Sequence, residues 1–282
     1  MTDTEKKPQW IRYKIPGGQR FLDIKQIVNS LGLHTICTEA GCPNSGECFA
    51  RGTATFLILG DTCTRNCRYC AVNKGIPSEP DYTEPERVAQ AVNKLKLKYI
   101  VITSVTRDDI PDGGASIFAE TCRQIMLLNP ESRIELLIPD FRKSLEHSLS
   151  VILKEKISIL NHNIETVKDF FHILRPAGDY EHSLRLMRLA SETGTTVKSG
   201  LMIGFGETID QIKSTIETLI NAGCSILTIG QYLKPGKEFY EVKKYYHPDE
   251  FEEIKEYAIN IGFKKTFCGP NVRSSYLAET II

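Results

Sequence analysis

The sequence has little of what a membrane or a nucleic acid would select. Its 35 Lys and Arg residues are balanced by 35 Asp and Glu residues, so the formal net charge is zero. Its longest apolar runs, such as residues 56–59, fall far short of the roughly 18 residues that a membrane-spanning helix needs. No apolar signal region follows Met1. Nucleic acids and anionic membranes bind clustered Lys and Arg, so we expect neither as a partner and predict a cytoplasmic protein.

The chain is long enough to fold without a metal ion. Its 282 residues correspond to one or two domains, and a chain of this size buries about three quarters of its surface on folding. A metal site in this sequence therefore indicates function rather than a staple for the fold.

Short β-branched segments alternate with amphipathic segments after residue 54, which is typical of an α/β fold with a parallel sheet. The predicted strands are Thr55 to Gly60, Tyr99 to Thr103, Ile134 to Ile138, Ile157 to Leu160, Val197 to Ile203 and Ile226 to Ile229. The predicted helices cover residues 83–97, 114–129, 142–156, 179–193, 208–222 and 249–261. Capping boxes are expected at Thr83 with Glu86 and at Thr208 with Gln211, and Pro248 suits a first helical turn.

Six β/α units favour a partial (β/α)6 barrel or a doubly wound sheet over a closed eight-fold barrel. We expect one compact unit with three parts: a cysteine-rich N-terminal extension over 1–54, the partial barrel over 55–262, and a short C-terminal tail over 263–282. Polar segments follow the predicted strands at 61–70, 104–114, 161–166 and 204–208, so a site is expected at the carboxyl ends of the strands.

The nine cysteines are the strongest chemical signal in the sequence. Six lie between residues 37 and 70, and the odd total without a secretion signal makes a disulfide framework the weaker interpretation. The other three, Cys122, Cys224 and Cys268, lie among apolar neighbours and are expected to be small buried side chains.

Cys63, Cys67 and Cys70 form a C-x3-C-x2-C pattern directly after the first predicted strand. Three thiolates this close can hold three corners of a cubic iron–sulfur cluster and leave one iron open to a cofactor, whereas tetrahedral zinc requires a fourth ligand. The alternative is a structural zinc completed by a distant Cys or His. The second triplet, Cys37, Cys42 and Cys48, has looser spacing, and zinc or buried thiols are equally open for it.

The first triplet, with Tyr69 at an aromatic position, resembles the cluster loop of the radical S-adenosylmethionine (SAM) superfamily. With the second triplet, the sequence is similar to the lipoyl synthase family within it, from about residue 7 to 280. The matching segments are Lys7 to Arg12 and residues 102–114, 139–141, 161–166, 198–204, 227–233 and 269–276. The departures are Gly41 and the order Ala177-Gly178, neither of them a proposed ligand.

The resemblance implies two [4Fe–4S] clusters and S-adenosyl-L-methionine as cofactors. Cys63, Cys67 and Cys70 would hold the first cluster, whose open iron chelates SAM, and one electron would release a 5′-deoxyadenosyl radical. Cys37, Cys42 and Cys48 would hold an auxiliary cluster together with a serine of Arg273-Ser274-Ser275-Tyr276, and Ser275 is preferred over Ser274. By itself a serine pair in a tail indicates a capped turn. An oxygen ligand on iron surrounded by sulfur is expected to be displaced easily.

The implied reaction inserts two sulfur atoms at carbons 6 and 8 of an octanoyl-lysine on a lipoyl carrier domain. No side-chain base removes protons from such carbons, so a radical is required. Two SAM molecules would be consumed and the auxiliary cluster would donate the sulfur. The expected carriers are 2-oxoacid dehydrogenase subunits and the glycine cleavage H protein. An electron donor and cluster repair proteins are further expected partners.

Six polar or aromatic residues are candidates for SAM binding, namely Tyr69, Ser104, Asn163, Glu165, Arg175 and Lys198. For Ser104 the alternative is an ordinary βα turn with a solvated acidic face. For Asn163, Glu165, Arg175 and Lys198 it is a satisfied polar group at a strand end, and Tyr69 is singled out by the resemblance alone. His34 and His162 are expected to be structural. The rival functions are another radical SAM enzyme with an auxiliary cluster and an iron–sulfur electron carrier, although a carrier would normally close each cluster with four ligands.

Overall fold

A mostly parallel sheet of eight strands organises the chain. The computed structural model describes residues 7–11, 18–39, 44–50, 53–275 and 278–280. Within them the strands are His34–Thr35 (β1), Thr55–Ile58 (β2), Thr62–Cys63 (β3), Asn73–Lys74 (β4), Tyr99–Ser104 (β5), Arg133–Leu137 (β6), Ile159–Asn161 (β7), Val197–Ile203 (β8), Cys224–Gln231 (β9) and Lys265–Gly269 (β10). The spatial order of the main sheet is β1-β2-β5-β6-β7-β8-β9-β10, and β3 pairs with β4 separately.

Helices connect the parallel strands. In chain order they are Gln19–Ser30 (α1), Ile36–Glu39 (α2), Ser45–Ala50 (α3), Glu84–Leu95 (α4), Ala115–Leu128 (α5), Leu145–Ile152 (α6), Lys168–Leu174 (α7), Tyr180–Glu192 (α8), Ile209–Asn221 (α9) and Pro248–Asn260 (α10), and a 3₁₀ turn covers Ala278–Thr280. No helix in these described ranges is long and apolar enough to cross a membrane.

The architecture confirms the predicted α/β class and partial barrel. All six predicted strands are present as β2, β5, β6, β7, β8 and β9, and they pair in parallel. The segment expected to be a short C-terminal tail also contributes to the sheet, because β10 adds a seventh parallel strand beside β9. The expected extension adds an antiparallel strand, because β1 pairs with β2. In the described residues the sheet is open, with β1 and β10 at its two edges.

Side chains of the central strands alternate between the helices and the barrel interior, as the period of two requires. The outward set, which includes Ile100, Ile102, Leu136 and Leu160, joins the main apolar core under the helices. The inward set forms a small apolar cluster at the amino ends of the strands, made of Tyr99, Val101, Ile159 and Ile226 with Ala278. Further along the strands the inward side chains are polar, and Glu135, Asn161 and Lys198 are fully buried there.

One of the two predicted capping boxes is confirmed. The Thr208 hydroxyl accepts the Gln211 backbone amide at 3.2 Å, and the Gln211 side-chain Oε1 accepts the Thr208 backbone amide at 2.8 Å. The box predicted at Thr83 is wrong, because its hydroxyl instead donates to Asp81 at 2.6 Å. Asp81 also accepts the Thr83 amide, so the side chain turns away from the helix it precedes. Pro248 does occupy the first turn of α10.

Candidate functional site

The loop that carries Cys63, Cys67 and Cys70 begins at the carboxyl end of β2 and is fastened at both ends. Cys63 closes β3 and pairs in parallel with Lys74 of β4, so the two ends of the loop lie side by side. Within the loop the Cys70 amide donates to the Cys67 carbonyl at 3.3 Å. The three thiols are free and half-buried. The cysteine loop is therefore a closed loop at the carboxyl ends of the strands, with its two ends paired to each other.

Two residues in the left-handed region, Leu59 (φ 68°) and Gly60 (φ 88°), turn the chain from β2 into the loop. A non-glycine residue adopts this conformation only where its surroundings enforce it. At Leu59 the buried Glu84 accepts the backbone amide at 2.7 Å and the buried Arg107 donates to the carbonyl at 3.1 Å. Charged side chains thus fix the strained turn from which the loop starts.

Arg65, inside the cysteine loop, is held by two carboxylates. Its guanidinium donates to both oxygens of Asp108 at 2.7 and 2.8 Å and to both oxygens of Asp140 at 2.7 Å. Arg65 is buried, Asp140 is almost fully buried, and the ion pair holds the pKa of Asp140 down at about 2. Because Asp108 follows β5 and Asp140 follows β6, Arg65 ties the loop to two further strand ends. Such bidentate pairs are strong and geometrically specific. The sequence interpretation missed this role of Arg65.

Aromatic residues form the opposite wall of the loop. The Arg68 amide donates to the Leu174 carbonyl at 2.8 Å, and the Arg68 carbonyl accepts the Tyr240 amide at 2.9 Å. Phe205 stacks on Tyr232 at 4.3 Å between ring centroids, and the Tyr69 ring lies 6.5 Å from Phe205. This apolar wall restricts water at the side of the loop where Tyr69 lies.

Burial governs the chemistry of the thiols. It raises the pKa of Cys70 to about 12 and also raises the pKa of Cys67, where the nearby Arg175 acts in the opposite direction. Iron binding must therefore displace protons from these sulfurs. Among the described residues no three His, Cys, Asp or Glu side chains are grouped closely enough to hold a single metal ion. A cluster distributes its ligands over several irons and has no need of such a group.

Three of the candidate SAM-binding residues lie together beside Cys67. Glu165 has a left-handed backbone (φ 72°) and bridges to Leu201 of β8. Burial raises the pKa of Glu165, and Arg175, whose charge acts on Glu165, Tyr69 and Cys67, lowers it. The pKa of Tyr69 is likewise raised by burial. The buried Arg175 and the half-buried Glu165 beside the cysteine loop match the carboxylate and amino group of an amino-acid cofactor.

Unsatisfied polar atoms mark the same region. The hydroxyl of Ser104, at the carboxyl end of β5, is buried and has no hydrogen-bond partner within the described ranges, and the same holds for Nε of Arg175. Buried polar groups are nearly always paired, so these two atoms are available to a bound water or to a polar ligand. The donor set, with its aromatic wall and half-buried thiols, fits a polar organic cofactor bound at the cysteine loop.

Lys198 does not face this region as a free donor. Its ammonium donates to both oxygens of Glu135, at 2.9 and 3.1 Å, and both side chains are fully buried inside the barrel. Asn163 lies between the two regions. Its Oδ1 accepts the Ser274 hydroxyl at 2.8 Å. Its side chain also opposes the effect of burial, which raises the pKa of the nearby Glu165.

Two cysteines of the second triplet are described, and the segment that carries Cys48 contacts the chain's C-terminal segment. Cys37 is buried on α2 and Cys48 is half-buried on α3, while Cys42 lies outside the described residues. Asn44, between Cys42 and Cys48, donates to the backbone carbonyl of Asn271 at 2.6 Å. This contact joins segments 227 positions apart in sequence and places the start of α3, which carries Cys48, beside the segment that leads to the serine pair.

The serine pair divides into two environments. Ser274 is hydrogen-bonded inside the barrel, to Asn161 and Asn163 at 2.8 Å each. Ser275 is half-buried, and its hydroxyl makes no hydrogen bond within the described ranges.

The remaining expected structural residues have ordinary contacts. His162 is buried against the Ile138 carbonyl at 2.9 Å, and burial lowers its pKa to about 4. His34 contacts Glu39 at 3.1 Å. Cys122 and Cys224 are fully buried, as predicted, whereas Cys268 is half-buried.

Sequence comparisons cover nearly the whole chain. Residues 57–219 match the radical SAM superfamily, and residues 1–42 match the N-terminal domain of lipoyl synthase of the radical SAM family. The chain is 49% identical over 276 residues to the lipoyl synthase of Caldicellulosiruptor saccharolyticus, which covers 97% of this chain and 96% of the relative. It is 47% identical over 278 residues to the lipoyl synthase of Pelodictyon phaeoclathratiforme, covering 98% and 94%.

Solved structures with the same fold are more distant in sequence. Methylornithine synthase PylB aligns with a TM-score of 0.57 and 13% identity over 89% of this chain and 83% of its own. Streptococcus suis SuiB bound to S-adenosylmethionine aligns with a TM-score of 0.57 and 11% identity over 79% of this chain and 54% of its own. Both similarities bear on the fold alone.

Proposed function

The chain belongs to the lipoyl synthase family of radical SAM enzymes, and we propose that it inserts sulfur at carbons 6 and 8 of an octanoyl chain attached to a carrier-protein lysine. One observation carries the proposal: the chain that fastens a cysteine loop at the mouth of a partial barrel also joins Asn44, four residues before Cys48, to Asn271 of the C-terminal segment that carries the serine pair. The product is the lipoyl group.

We propose that Cys63, Cys67 and Cys70 hold a [4Fe–4S] cluster and that SAM binds against Tyr69, Ser104, Asn163, Glu165 and Arg175. When bound, the cluster and SAM supply an adenosyl radical that removes hydrogen from unactivated carbon. The buried Arg175 and the half-buried Glu165 would orient the charged groups of SAM, and the unsatisfied Ser104 hydroxyl would complete that contact. Lys198 is reassigned, because its pairing with Glu135 supports the barrel interior instead.

We also propose that Cys37, Cys42, Cys48 and Ser275 hold a second [4Fe–4S] cluster, which supplies the inserted sulfur. The Asn44 contact to Asn271 supports this grouping, since it brings α3 and the tail together. The free hydroxyl of Ser275 offers the weaker, oxygen ligand that a sulfur donor requires.

The chain's own contribution is positioning and exclusion of water. Carbons 6 and 8 offer no acidic proton, so no residue acts there as a base. The stacked Phe205 and Tyr232 rings and the Arg65 ion pair would hold the cysteine loop in place around the bound cluster and SAM. The cofactor supplies the difficult chemistry, and the protein orients it and excludes competing reactions.

The proposed substrates are octanoylated lipoyl carrier domains, namely 2-oxoacid dehydrogenase subunits and the glycine cleavage H protein. An electron donor must feed the first cluster, and repair proteins must rebuild the second one. A reducing compartment such as the cytoplasm suits a protein whose clustered thiols must stay unoxidised.

The decisive experiment is anaerobic incubation of iron- and sulfide-reconstituted protein with SAM, a strong reductant and an octanoyl-lysine peptide, followed by mass spectrometry. We expect the peptide to gain two sulfur atoms and lose two hydrogen atoms. Cys42→Ala should still cleave SAM but leave the peptide unsulfurated, and Cys122→Ala, a buried thiol outside both triplets, should match the unmodified chain. SAM cleavage with an unchanged peptide would indicate another radical enzyme, and intact SAM would indicate an electron carrier.

A further inference from the structure

We propose that Ser274 is a positioning residue: its hydroxyl anchors the C-terminal segment inside the barrel and thereby holds Ser275 at the second cluster. The anchoring is independent of the proposed function, whereas the role of Ser275 as a ligand rests on it.

The first argument is the hydrogen-bond inventory of Ser274. Its hydroxyl donates to Asn163 Oδ1 and accepts from Asn161 Nδ2, both at 2.8 Å. A serine bound to iron gives up the proton that Ser274 donates here, because metal ligands bind deprotonated. Ser274 is therefore engaged without a metal, while its neighbour Ser275 is left available.

The second argument is that Asn161 cannot turn away from Ser274. Its Nδ2 donates to Glu135 Oε1 at 2.7 Å as well as to Ser274, so both of its N–H groups have acceptors. Glu135 also receives the Lys198 ammonium and, at 2.7 Å, the Tyr99 hydroxyl. An ionised carboxylate only accepts hydrogen bonds, so a flipped amide would set its oxygen against Glu135. The buried Lys198–Glu135 ion pair therefore fixes the orientation of the Asn161 amide, which hydrogen-bonds Ser274 of the C-terminal segment.

The third argument is the path of the tail along the barrel interior. A Cβ on Gly230 of β9 would lie 2.0 Å from the Val272 carbonyl oxygen, so the tail passes against bare backbone there. Ala278 packs with Tyr99, Val101, Ile159 and Ile226 at the amino ends of the strands. Ser274 lies between these two contacts in sequence, and its hydroxyl contacts the polar side chains midway along the barrel interior. Its hydrogen bonds therefore fix the position of the C-terminal segment along the barrel.

Asn163 connects this anchor to the cofactor region. Its side chain accepts the Ser274 hydroxyl, and its backbone carbonyl accepts the Arg175 guanidinium at 3.2 Å, beside Glu165 and Cys67. The tail anchor and the proposed SAM contacts therefore share one residue. Loss of the Ser274 hydroxyl would be transmitted to both.

The test compares Ser274→Ala, Ser274→Thr and Ser275→Ala by hydrogen exchange of the full chain without clusters, read in peptides covering the C-terminal segment. Ser274→Ala leaves two asparagines short of a partner, and we expect about tenfold faster exchange, which corresponds to about 1.4 kcal/mol. Ser274→Thr, which keeps the hydroxyl, should restore the slow exchange. Ser275→Ala, the matched control, should not change it.

The reconstituted chains are then compared by ⁵⁷Fe Mössbauer spectroscopy. Ser275→Ala should abolish the signal of the oxygen-ligated iron, whereas Ser274→Ala should retain it in a reduced fraction of molecules. Unchanged exchange in Ser274→Ala would refute the anchor, and complete loss of the iron signal in Ser274→Ala alone would make Ser274 the ligand. If the unmodified chain binds no second cluster, the role of Ser275 and the proposed function fail together, and the exchange result still decides the anchor.

Discussion

Arg65 offers the sharpest test of how the cysteine loop is held. The substitution Arg65→Ala removes a buried guanidinium and leaves Asp108 and Asp140 facing each other without a counter-charge. Arg123→Ala is the matched control, because Arg123 also pairs with two carboxylates, Glu120 and Glu155, but at the surface. The two substitutions remove the same side chain and the same charge and differ in burial.

The expected magnitudes follow from that difference. Removing one partner of a buried ion pair typically destabilises a protein by about 3–5 kcal/mol. The fall in the pKa of Asp140 from its ordinary 3.8 to about 2 is by itself a stabilisation of about 2 kcal/mol. An exposed pair contributes about 0–1 kcal/mol, so Arg123→Ala should remain close to the unmodified chain. The separation between the two variants should be at least about 2 kcal/mol.

Urea unfolding of the cluster-free chains at pH 7 measures this separation, and the iron content after reconstitution measures its consequence for the loop. We expect Arg65→Ala to lose both stability and iron, and Arg65→Lys to recover only part of each, because an ammonium cannot make the two bidentate contacts. Equal free energies of unfolding for Arg65→Ala and Arg123→Ala would refute the reasoning. Lost stability with full iron content would mean that Arg65 supports the sheet edge but not the loop.

Three further outcomes follow from buried groups. Lys198→Met should destabilise the chain by about 3–5 kcal/mol in urea unfolding. Adding Glu135→Leu should recover only part of this, since it removes the remaining buried charge but also the acceptor of the Tyr99 hydroxyl and the Asn161 amide. Gly230→Ala should cost about 1–3 kcal/mol by thermal unfolding and speed hydrogen exchange in the tail, because the new Cβ meets the Val272 carbonyl. Asp140→Asn should make the free energy of unfolding less dependent on pH in acid. The Asp140 carboxylate stabilises the fold above pH 3.8, and this stabilisation is lost as the pH falls through about 2. The difference in the free energy of unfolding between Asp140→Asn and the unmodified chain should therefore shrink over that range.

The β/α units could be predicted because their signals are local. β-Branched runs specify β2 and β5 to β9, and the Thr208 box specifies the start of α9. β10 is absent from the prediction because Lys265–Gly269 is mixed in polarity, and only its pairing with β9 makes it a strand. α1 was missed because it begins without a side-chain cap, although Ile24 and Val28 carry a helical period.

The cysteine ligands could be proposed from sequence because their spacing is itself the signal. Arg65 could not, because its role depends on Asp108 and Asp140, which only the parallel sheet brings to the loop. Lys198 illustrates the converse: a polar residue in a strand suggested a cofactor contact, yet an inward position opposite Glu135 provides a partner inside the barrel. Whether a strand residue points in or out depends on register, and register is a property of the assembled sheet.

The two proposed cluster sites differ in what would have to move for iron to leave. The cysteine loop is fixed by the β3 and β4 pair and by the buried Arg65, so releasing it disrupts the barrel edge. The tail with Ser275 is held by hydrogen bonds at Ser274 and by the Asn44 contact, which break without unpairing the central strands. Local opening of this kind costs less than global unfolding. A cluster that persists through turnovers suits the first site, and a cluster that is consumed and rebuilt suits the second.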